Sequence, residues 1–455
     1  MNSFDICIVG NGSVGIMTAV ELSKSLPNKK IALIGPFSQK GSASVAAGAM
    51  HAVFGEIESH IDHSDGDQQQ FNLALASKDI WKEHFDFFGE SSKTANDTII
   101  YLKDTKNPFE VNNFKKATQL ANDHKILRSA SEDEVNNYLN IDVKDIEDVK
   151  VLKGEFSFCP VTLFKQALDF LENASNVSLI NDIVISIDGK VAKIGNDSSI
   201  KSDKFIVSNG AAAYDLLKEH EILPVYQGVG TAMIINSDTI SYGSEFVVRT
   251  VNRGGAQCGV HVVPRADGTH YIGAGNYLAE FDSREDHRLE TVRYLTNVAE
   301  SDIIGQSDAY NMRGKLVLGK RPRSFDGWPL FGPLKSNNNI IVASGWNRVG
   351  FTLSPLIAKE ILSILKTENT RLINNWLPDR DPISFGSGDE CAEFFASSRC
   401  ANLIEHNLLE PGTKSYDLKH EELKELSFLK NSQITTNLNL SKDFGIHPDL
   451  YGLLS

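Results

Sequence analysis

The first part of the chain alternates between short apolar runs and a segment with helical periodicity. Residues 6–9 form a continuous apolar run, which is typical of a parallel strand buried on both faces. A glycine-rich turn follows, and residues 16–25 place apolar side chains along one side of a helix. Residues 30–34 predict a second strand. These elements predict a strand–helix–strand unit of the kind that begins a doubly wound α/β fold.

The middle of the chain changes from helical to mixed patterning. Residues 66–145 are polar and carry a mostly helical periodicity. Residues 161–171 then predict a helix, and residues 177–180 and 183–187 predict strands. Another buried strand is expected at residues 204–210, where it runs into a glycine. Strands and helices that alternate in this way favour a parallel sheet.

Residues 224–280 have a different pattern, which predicts antiparallel sheet. Asp267 and Gly268 stand between two apolar runs, and this dipeptide is a strong hairpin signal. The expected strands are residues 231–235, 246–248, 261–264 and 271–273. Further on, residues 340–344 predict a last buried strand and residues 351–365 a last long helix of the body. The chain beyond Pro378 is polar and weakly periodic.

Composition narrows the class of protein. The chain has 455 residues and a formal net charge of −14. This acidic balance argues against a nucleic-acid partner, because a phosphate backbone requires a concentrated basic surface. Five scattered cysteines show no zinc-ligand spacing, so we expect reduced thiols, a cytoplasmic location and no metal site. The N-terminus lacks a secretory pattern and no apolar run reaches about 18 residues, so we expect no membrane span.

The glycine turn after the first strand is the first candidate binding site. Gly10 allows the tight turn, Gly12 lets the backbone approach a pyrophosphate, and Gly15 lets the helix pack on the strand. Ser13 opens the helix, whose free N–H groups attract an anion. Because the turn lies between a predicted strand and a predicted helix, it favours a dinucleotide-binding site over a structural turn.

One expected element of a dinucleotide site is missing. Such folds usually end the second strand with an acidic residue that binds the ribose hydroxyls. Here Gly35 and Pro36 follow the strand. The ribose must therefore be held by backbone groups, by Ser38 or by Gln39. This unit alone does not identify the dinucleotide.

Five separated segments carry a family resemblance, in order along the chain. Two are residues 10–15 and 42–48, and a third is residues 204–211, which end in SNGA. The fourth is VVPRADGTHYIGAG at 262–275, and the last combines GKRPRSFDGWPLFG with VASGWNRVGFTLSP. Over residues 4–366 the chain resembles the D-amino-acid oxidase, glycine oxidase and sarcosine oxidase family of flavoenzymes.

The resemblance implies FAD as the cofactor and a set of residues that hold it. The small residues at 42–50 would lie along the pyrophosphate and the flavin, where bulky side chains would block close approach. The turn at 345–350 and the helix that follows would lie at the pyrimidine end of the flavin and stabilise its negative charge. The implied cofactor-binding residues are Gly10, Gly12, Ser13, Gly15, Ser42, Ala43, Ser44, Ala47, Gly48, Met50, Gly210, Gly345, Trp346, Asn347, Val349, Gly350, Phe351 and Thr352.

The resemblance also implies three residues at the substrate. Arg321 matches an arginine that pairs with the substrate carboxylate, to which a planar guanidinium is well suited. Arg348 matches a second arginine of the glycine-oxidase-like members. His261 stands where those members carry a tyrosine, and it would bring a group that titrates near neutral pH to the pocket. An alternative without a role at the substrate stays open for each: Arg321 and Arg348 could be surface arginines, and His261 could be a strand histidine that faces solvent.

The mode of flavin attachment also follows from the resemblance. Sarcosine oxidases attach flavin through a cysteine near the position of Arg321, but this chain has no cysteine between residues 259 and 390. Other members use a histidine near the first small-residue segment, and His51 lies close to it. We expect His51 to be a flavin-side residue and the FAD to be noncovalent.

The implied fold is α/β, with a Rossmann-like FAD-binding domain, an antiparallel-sheet substrate domain and a C-terminal helical extension. The FAD-binding domain is expected from residues 1–60, 150–222 and 310–366. The substrate domain is expected to combine a helical part at 61–149 with antiparallel sheet at 223–309. The extension is expected at residues 380–455, where it would pack on the body, make a dimer contact or cap the active site.

The implied reaction is oxidation of the C–N bond of an amino acid or related small anionic amine. Hydride leaves the α-carbon for flavin N5, the resulting imine is hydrolysed by water, and oxygen or another acceptor reoxidises the flavin. Two alternatives remain open: an FAD-dependent 2-hydroxy-acid or polyol dehydrogenase with His261 as base, and the flavin subunit of a multi-subunit dehydrogenase. Arg265, Arg323 and Arg348, with Arg321, would also suit a substrate that carries a second anion.

Overall fold

The structure is a computed structural model. It describes residues 2–454 except for residues 62–64, 104–105, 139–145, 196–197, 237–244, 255–258, 281–285, 301–312, 368–369, 371–375, 406–407 and 410–413. Cys258 lies outside the described residues. The other four cysteines, at positions 7, 159, 391 and 400, are buried and free.

Strands and helices alternate along most of the chain. The strands are β1 (Asn2–Val9), β2 (Ile31–Ile34), β3 (Lys93–Ala95), β4 (Asp97–Leu102), β5 (Leu127–Ser129), β6 (Asp148–Leu152), β7 (Ser157–Phe158), β8 (Val177–Ile180), β9 (Val184–Asp188), β10 (Val191–Ile194), β11 (Ser199–Val207), β12 (Val225–Asn236), β13 (Phe246–Arg249), β14 (His261–Pro264), β15 (Thr269–Ala279), β16 (Gly314–Ser324), β17 (Leu330–Pro333) and β18 (Ile340–Ser344). The helices are α1 (Ser13–Ser25), α2 (Asp65–Phe88), α3 (Pro108–Asp123), α4 (Glu132–Tyr138), α5 (Pro160–Glu172), α6 (Ala213–Leu217), α7 (Leu289–Val298), α8 (Gly350–Thr367), α9 (Gly388–Glu405), α10 (Lys414–Asn437) and α11 (Tyr451–Leu454).

The first sheet is the predicted α/β sheet. Its strands follow the order β17-β18-β11-β1-β2-β8, and β1 pairs in parallel with both β2 and β11. β10 and β9 extend the sheet from β11 in antiparallel pairing. Helices α1, α5 and α8 bury apolar side chains against this sheet in one continuous core. The predicted strand–helix–strand unit at the N-terminus is confirmed, with β1 starting before the expected residue 6.

The second sheet follows the order β16-β12-β15-β14-β13-β4-β6-β5. β12 pairs antiparallel with β15 on one side and with β16 on the other. Gly268 adopts a φ of +80° in the predicted hairpin between β14 and β15. The predicted antiparallel sheet is therefore confirmed. β13 and β4 form a parallel pair within it.

Four strands of the second sheet lie outside the segment where antiparallel sheet was expected. β4 and β5 come from the stretch expected to be helical, and β16 and most of β6 come from stretches expected in the FAD-binding domain. β4 joins because its run of apolar side chains is buried in the sheet, while helices α2, α3 and α4 surround it in sequence. A short apolar run does not specify its partner strand, so periodicity could not reveal this pairing.

The C-terminal extension is helical, as expected, and it packs on the body of the protein. α9 and α10 pack against each other and bury Phe395, Leu423 and Ile434. Phe325 at the end of β16 joins the same cluster, together with Leu450 and Tyr451. Asp326 and Arg380 form an ion pair that fixes the start of the extension to the body, with Nη2 2.7 Å from Oδ1.

Candidate active site

The glycine turn after β1 is built for close backbone contacts. Gly10 has a φ of +105°, which favours glycine, and a Cβ on Gly15 would lie 1.8 Å from the Gly10 carbonyl oxygen. Gly12 caps α1 without a side-chain hydrogen bond to the helix. The helix N-terminus therefore remains suited to an anion such as a pyrophosphate.

The small-residue segment lies directly against this turn. Ser44 Oγ accepts a hydrogen bond of 3.0 Å from the Ser13 backbone N–H. A Cβ on Gly12 would lie 3.0 Å from the same Oγ, so a side chain there would push the two segments apart. The structure therefore brings together two segments that are about thirty residues apart and that were both assigned to the cofactor.

A cleft of about 570 Å³ runs from the glycine turn along the C-terminal edge of the first sheet. Such an edge is where doubly wound folds bind ligands. The predicted cofactor residues that line it are Gly10, Gly12, Ser13, Ser42, Ala43, Ser44, Ala47, Gly210, Trp346, Asn347, Gly350 and Phe351. Its volume and its position at the glycine turn before α1 fit an extended dinucleotide.

The end of β2 shows how the site differs from one with an acidic ribose ligand. A Cβ on Gly35 would lie 2.4 Å from the side chain of Asn11, whose Nδ2 donates to the Pro36 carbonyl at 3.1 Å. Gln39 donates from Nε2 to the Asn11 carbonyl at 2.5 Å and lines the cleft. Of the two side chains considered for the ribose, Gln39 borders the cleft and Ser38 does not.

A second cavity of about 100 Å³ adjoins the cleft. It is lined by the remaining small residues Gly48 and Met50, and by Thr352 in the first turn of α8. Arg321 and Arg348 line both spaces, so the two cavities meet at these arginines. We refer to this smaller space as the substrate cavity.

Three predicted cofactor residues lie elsewhere. Gly15 packs on Gly10, and Gly345 adopts a φ of +76° at the end of β18. Val349 lines a third cavity, between the body and the extension. Gly15 and Gly345 thus shape the backbone around the cleft rather than line it.

Arg321 extends from β16 toward the substrate cavity. Its Nε donates to the Gly228 carbonyl at 3.4 Å, and its Nη2 donates to Asn276 Oδ1. Cβ atoms on Gly228 and Gly230, across the strand pair, would be 3.6 and 3.7 Å from Arg321 atoms. The two glycines therefore lie within van der Waals range of Arg321.

Arg348 contacts two carboxylates that the sequence did not indicate. Its Nη1 lies 3.4 Å from Glu58 Oε1 and 3.6 Å from Glu56 Oε2. Glu56 also pairs with the buried Arg249 at 2.8 Å. Burial alone would raise the pKa of Glu56, but Arg249 and Arg348 outweigh it and lower that pKa to about 2. Two arginines and two carboxylates therefore form one charged network beside the substrate cavity.

His261 lines the substrate cavity and is buried. Its Nδ1 donates to the Gly259 carbonyl at 3.0 Å, and its ring stacks on Tyr271 with centroids 5.6 Å apart. Burial, together with the charge of Arg249, lowers the pKa of His261 to about 4. The expectation of a group titrating near neutral pH is therefore wrong, and the imidazole is neutral at pH 7.

His51 is buried and lines neither the cleft nor the substrate cavity. Its Nε2 is 3.0 Å from Ser77 Oγ, and its ring stacks on Phe156 with centroids 4.8 Å apart. Its chain neighbours Met50 and Ala52 line the substrate cavity, whereas the His51 side chain does not. The expectation that His51 lies beside the flavin stays a prediction, and the structure places its ring among Ser77 and Phe156.

Sequence reasoning missed three residues of the substrate cavity and its margin. Asn276 and Tyr271 lie on β15, and Glu56 lies in the loop after the small-residue segment. Asn276 and Tyr271 fall within or next to the VVPRADGTHYIGAG motif, which was the available signal. Glu56 had no signal, because its partners are about 190 and 290 residues away.

Comparison with known families now identifies the fold and the cofactor. The family model described as FAD dependent oxidoreductase, or DAO, matches residues 5–363, well over half of the chain. The chain belongs to this family. The resemblance seen in the sequence is confirmed, and the enzyme is an FAD-dependent oxidoreductase. We propose the cleft of about 570 Å³ as its FAD site and refer to it as the FAD cleft.

Solved structures of the same fold are similar over most of the chain. Glycine oxidase from Geobacillus kaustophilus is 18% identical, with a TM-score of 0.68, over 84% of this chain and 100% of that one. L-proline dehydrogenase from P. horikoshii is 17% identical, with a TM-score of 0.65, over 83% and 98%. L-α-glycerophosphate oxidase from Mycoplasma pneumoniae is 19% identical, with a TM-score of 0.63, over 85% and 100%. No curated protein matches the sequence.

Among the residues that the structure describes, none of the helices is both long enough and apolar enough to cross a bilayer. In the same ranges, no group of three or more histidine, cysteine, aspartate or glutamate side chains is arranged to hold a metal ion.

Proposed function

We propose that the enzyme oxidises the C–N bond of a small amino acid or related anionic amine. The observation that carries this proposal is the position of Arg321, a guanidinium that borders both the FAD cleft and the substrate cavity. A carboxylate bound there in two parallel hydrogen bonds would hold the α-carbon beside the flavin. Bound FAD supplies the acceptor for the hydride that leaves this carbon.

The surrounding residues have separate roles in this proposal. Asn276 accepts a hydrogen bond from Arg321 and keeps the guanidinium turned toward the cavity. Tyr271 and His261 form an uncharged wall of stacked rings. Arg348 is already paired with Glu56 and Glu58, so we assign it to holding the cavity wall rather than to a second carboxylate contact.

The pKa of His261 favours amine oxidation over the hydroxy-acid alternative. Oxidation of a hydroxy acid needs a base for the hydroxyl proton, and an effective base has a pKa near the working pH. A histidine with a pKa of about 4 is poorly matched to that task. An amine substrate that enters in its neutral form needs no such base.

We also infer that FAD is held without a covalent bond. His51, the histidine nearest to the small-residue segment, has its Nε2 engaged with Ser77 and its ring packed on Phe156. Acid precipitation that releases all of the flavin would support noncovalent binding, and flavin retained on the protein would contradict it.

We further infer a cytoplasmic location. It is supported by the four buried free cysteines, which suit a reducing compartment.

The function is tested by anaerobic reduction of the purified holoenzyme. D- and L-amino acids, N-methyl amino acids and the matching 2-hydroxy acids are added one at a time, and the flavin absorbance is followed. The proposal expects bleaching by members of the amine series and none by the hydroxy acids. Bleaching by hydroxy acids alone would overturn it.

A further inference from the structure

A third cavity, of about 180 Å³, lies between the body of the protein and the C-terminal extension. We call it the junction cavity. Glu58, Arg323 and Arg348 line it from the body, while Phe385, Phe394 and His447 line it from the extension. The extension residues all lie beyond residue 363, where the family match ends.

The junction cavity adjoins the substrate cavity. Arg348 and Glu56 line both, and Arg348 also lines the FAD cleft. Asn276 lines the junction cavity and accepts a hydrogen bond from Arg321. A molecule held at Arg321 would therefore lie next to a space that Asn276 and Arg348 border.

Most carboxylates around the junction cavity are already neutralised. Glu56 and Glu58 both lie within 3.6 Å of the Arg348 guanidinium, and Glu56 also pairs with Arg249. Asp326 accepts hydrogen bonds of 2.7 and 2.8 Å from Arg380 Nη2. Glu56, Glu58 and Asp326 are therefore already paired with arginines. The other two carboxylates that line the cavity, Asp67 and Asp449, lie near a further cation.

Arg323 is that further cation. It lies two residues after Arg321 on β16, so both side chains leave the same face of the strand, about 7 Å apart. No described side chain forms a hydrogen bond or ion pair with its guanidinium, although Asp449, Glu58 and Asp67 are near enough to attract it. Burial lowers the pKa of Arg323. A half-buried guanidinium that borders a cavity and has no bonded side-chain partner among the described residues is suited to an anionic ligand.

His447 offers a second donor from the extension. Its Nδ1 accepts a hydrogen bond of 3.2 Å from the Asp449 backbone N–H. Burial lowers the pKa of His447 to about 3, so the ring is neutral and carries its proton on Nε2. Phe385 packs edge-on against the ring with centroids 4.5 Å apart and holds it in place.

We propose that the junction cavity binds a second anionic group of the substrate, a carboxylate or phosphonate, through Arg323 and the Nε2–H of His447. This inference rests on the proposed function, because the first carboxylate is assigned to Arg321. The substrate class is then a small amine that carries two anionic groups. The extension, rather than the family fold, supplies part of this specificity.

The test compares ligands that differ only in the second anion. Binding of glutarate and of butyrate to the oxidised holoenzyme is measured by titration calorimetry, since neither compound can be oxidised as an amine. We expect glutarate to bind at least about 10-fold more tightly than butyrate, because one charge-assisted hydrogen bond contributes about that much. Arg323→Gln removes this preference, and Arg323→Lys keeps part of it.

Matched variants separate the site from general effects. Arg313→Gln changes an exposed arginine just before β16 and leaves the preference for glutarate unchanged. His447→Gln probes the opposite wall and weakens glutarate binding by about 3- to 10-fold. Thermal unfolding confirms that each variant is folded. Equal affinity for glutarate and butyrate, or an Arg323→Gln protein that still prefers glutarate, would overturn the proposal.

Kinetics give a separate measurement on substrates. The substrates are D- and L-glutamate, which carry the second anion, and D- and L-norvaline, which lack it. The ratio of kcat/KM for glutamate to kcat/KM for norvaline is lower in Arg323→Gln than in wild type by about 10- to 100-fold. If no amine is oxidised while glutarate still binds through Arg323, the proposed function fails and the anion site stands. If amines are oxidised but glutarate binds no more tightly than butyrate, the proposed function stands and the anion site fails.

Discussion

Arg249 and His261 lie opposite each other in the antiparallel pairing of β13 with β14. Both side chains are buried, and the Arg249 guanidinium is balanced by Glu56 at 2.8 Å rather than by the histidine. His261 is therefore placed next to a fixed positive charge in a buried site. This is why burial and Arg249 together keep the imidazole neutral.

Acid stability follows from this arrangement. The pKa of His261 is about 4 in the folded protein, against 6.5 for an ordinary histidine, so the unfolded chain binds a proton that the folded one does not. Stability is full above about pH 6.5 and falls as the pH drops toward 4, by about 2 kcal/mol between pH 7.5 and 5 for this one group.

The contribution of His261 is measured by urea unfolding at several pH values. His261→Asn removes the titrating ring, so the free energy of unfolding falls less steeply below pH 6.5. Tyr271→Phe disturbs the same stacked pair without removing a group that titrates in this range, and it keeps the wild-type slope. Identical slopes in His261→Asn and wild type would show that His261 is not held neutral.

Gly15 is expected to be essential for FAD binding. In Gly15→Ala the added Cβ would lie 1.8 Å from the Gly10 carbonyl oxygen, so the phosphate-binding turn must open. We expect a loss of about 1–3 kcal/mol in stability and a purified protein that lacks most of its FAD. The absorbance of the flavin relative to that of the protein measures this directly.

Gly452→Ala is the matched control for this substitution. A Cβ there meets nothing within 4 Å, and the position lies in α11, far along the chain from the FAD cleft. This variant keeps full FAD content. A Gly15→Ala protein with a full complement of FAD would mean that the turn does not hold the pyrophosphate.

The Asp326–Arg380 pair is expected to anchor the extension. Asp326 is fully buried, and Arg380 also donates to the Pro329 carbonyl at 2.9 Å. Removing one partner of a buried ion pair costs about 3–5 kcal/mol, because the other charge is left uncompensated. Arg380→Gln should therefore lower the free energy of unfolding by that amount.

An exposed pair provides the comparison. Lys190 and Asp203 lie 2.7 Å apart, but their side chains are 49% and 61% exposed. Lys190→Gln should cost about 0–1 kcal/mol. Equal effects of the two substitutions in chemical denaturation would show that the extension is not held by Asp326.

The parts of the fold that the sequence predicted are those with local signals. The unit from β1 to β2, the hairpin at Gly268 and the helix after Gly345 each combine periodicity with glycines at fixed spacing. The pairing of β4 with β13 was not predictable, because a run of apolar residues indicates burial without naming the partner strand.

The candidate site was predicted to a similar degree. Motif residues such as Gly12 and Arg321 were found, because each belongs to a short sequence motif that can be recognised without the structure. The ion pairs of Arg348 were missed because they depend on long-range contacts. The sequence made Arg265 and Arg323 equal candidates for binding a second anion. In the structure, Arg265 lies at the β14–β15 hairpin, whereas Arg323 borders the junction cavity.

The most direct test of the account is a single turnover without oxygen. The holoenzyme is mixed with an amine substrate found by flavin bleaching, and the ammonia or primary amine released is counted against the flavin reduced. The same experiment is run on Arg321→Leu with Arg313→Leu as control. We predict that one amine is released for each flavin reduced, in the wild type and in the Arg313→Leu control. In Arg321→Leu, the flavin is reduced about 100-fold more slowly at low substrate concentration. Flavin reduction without release of an amine, or a rate unaffected by Arg321→Leu, would contradict it.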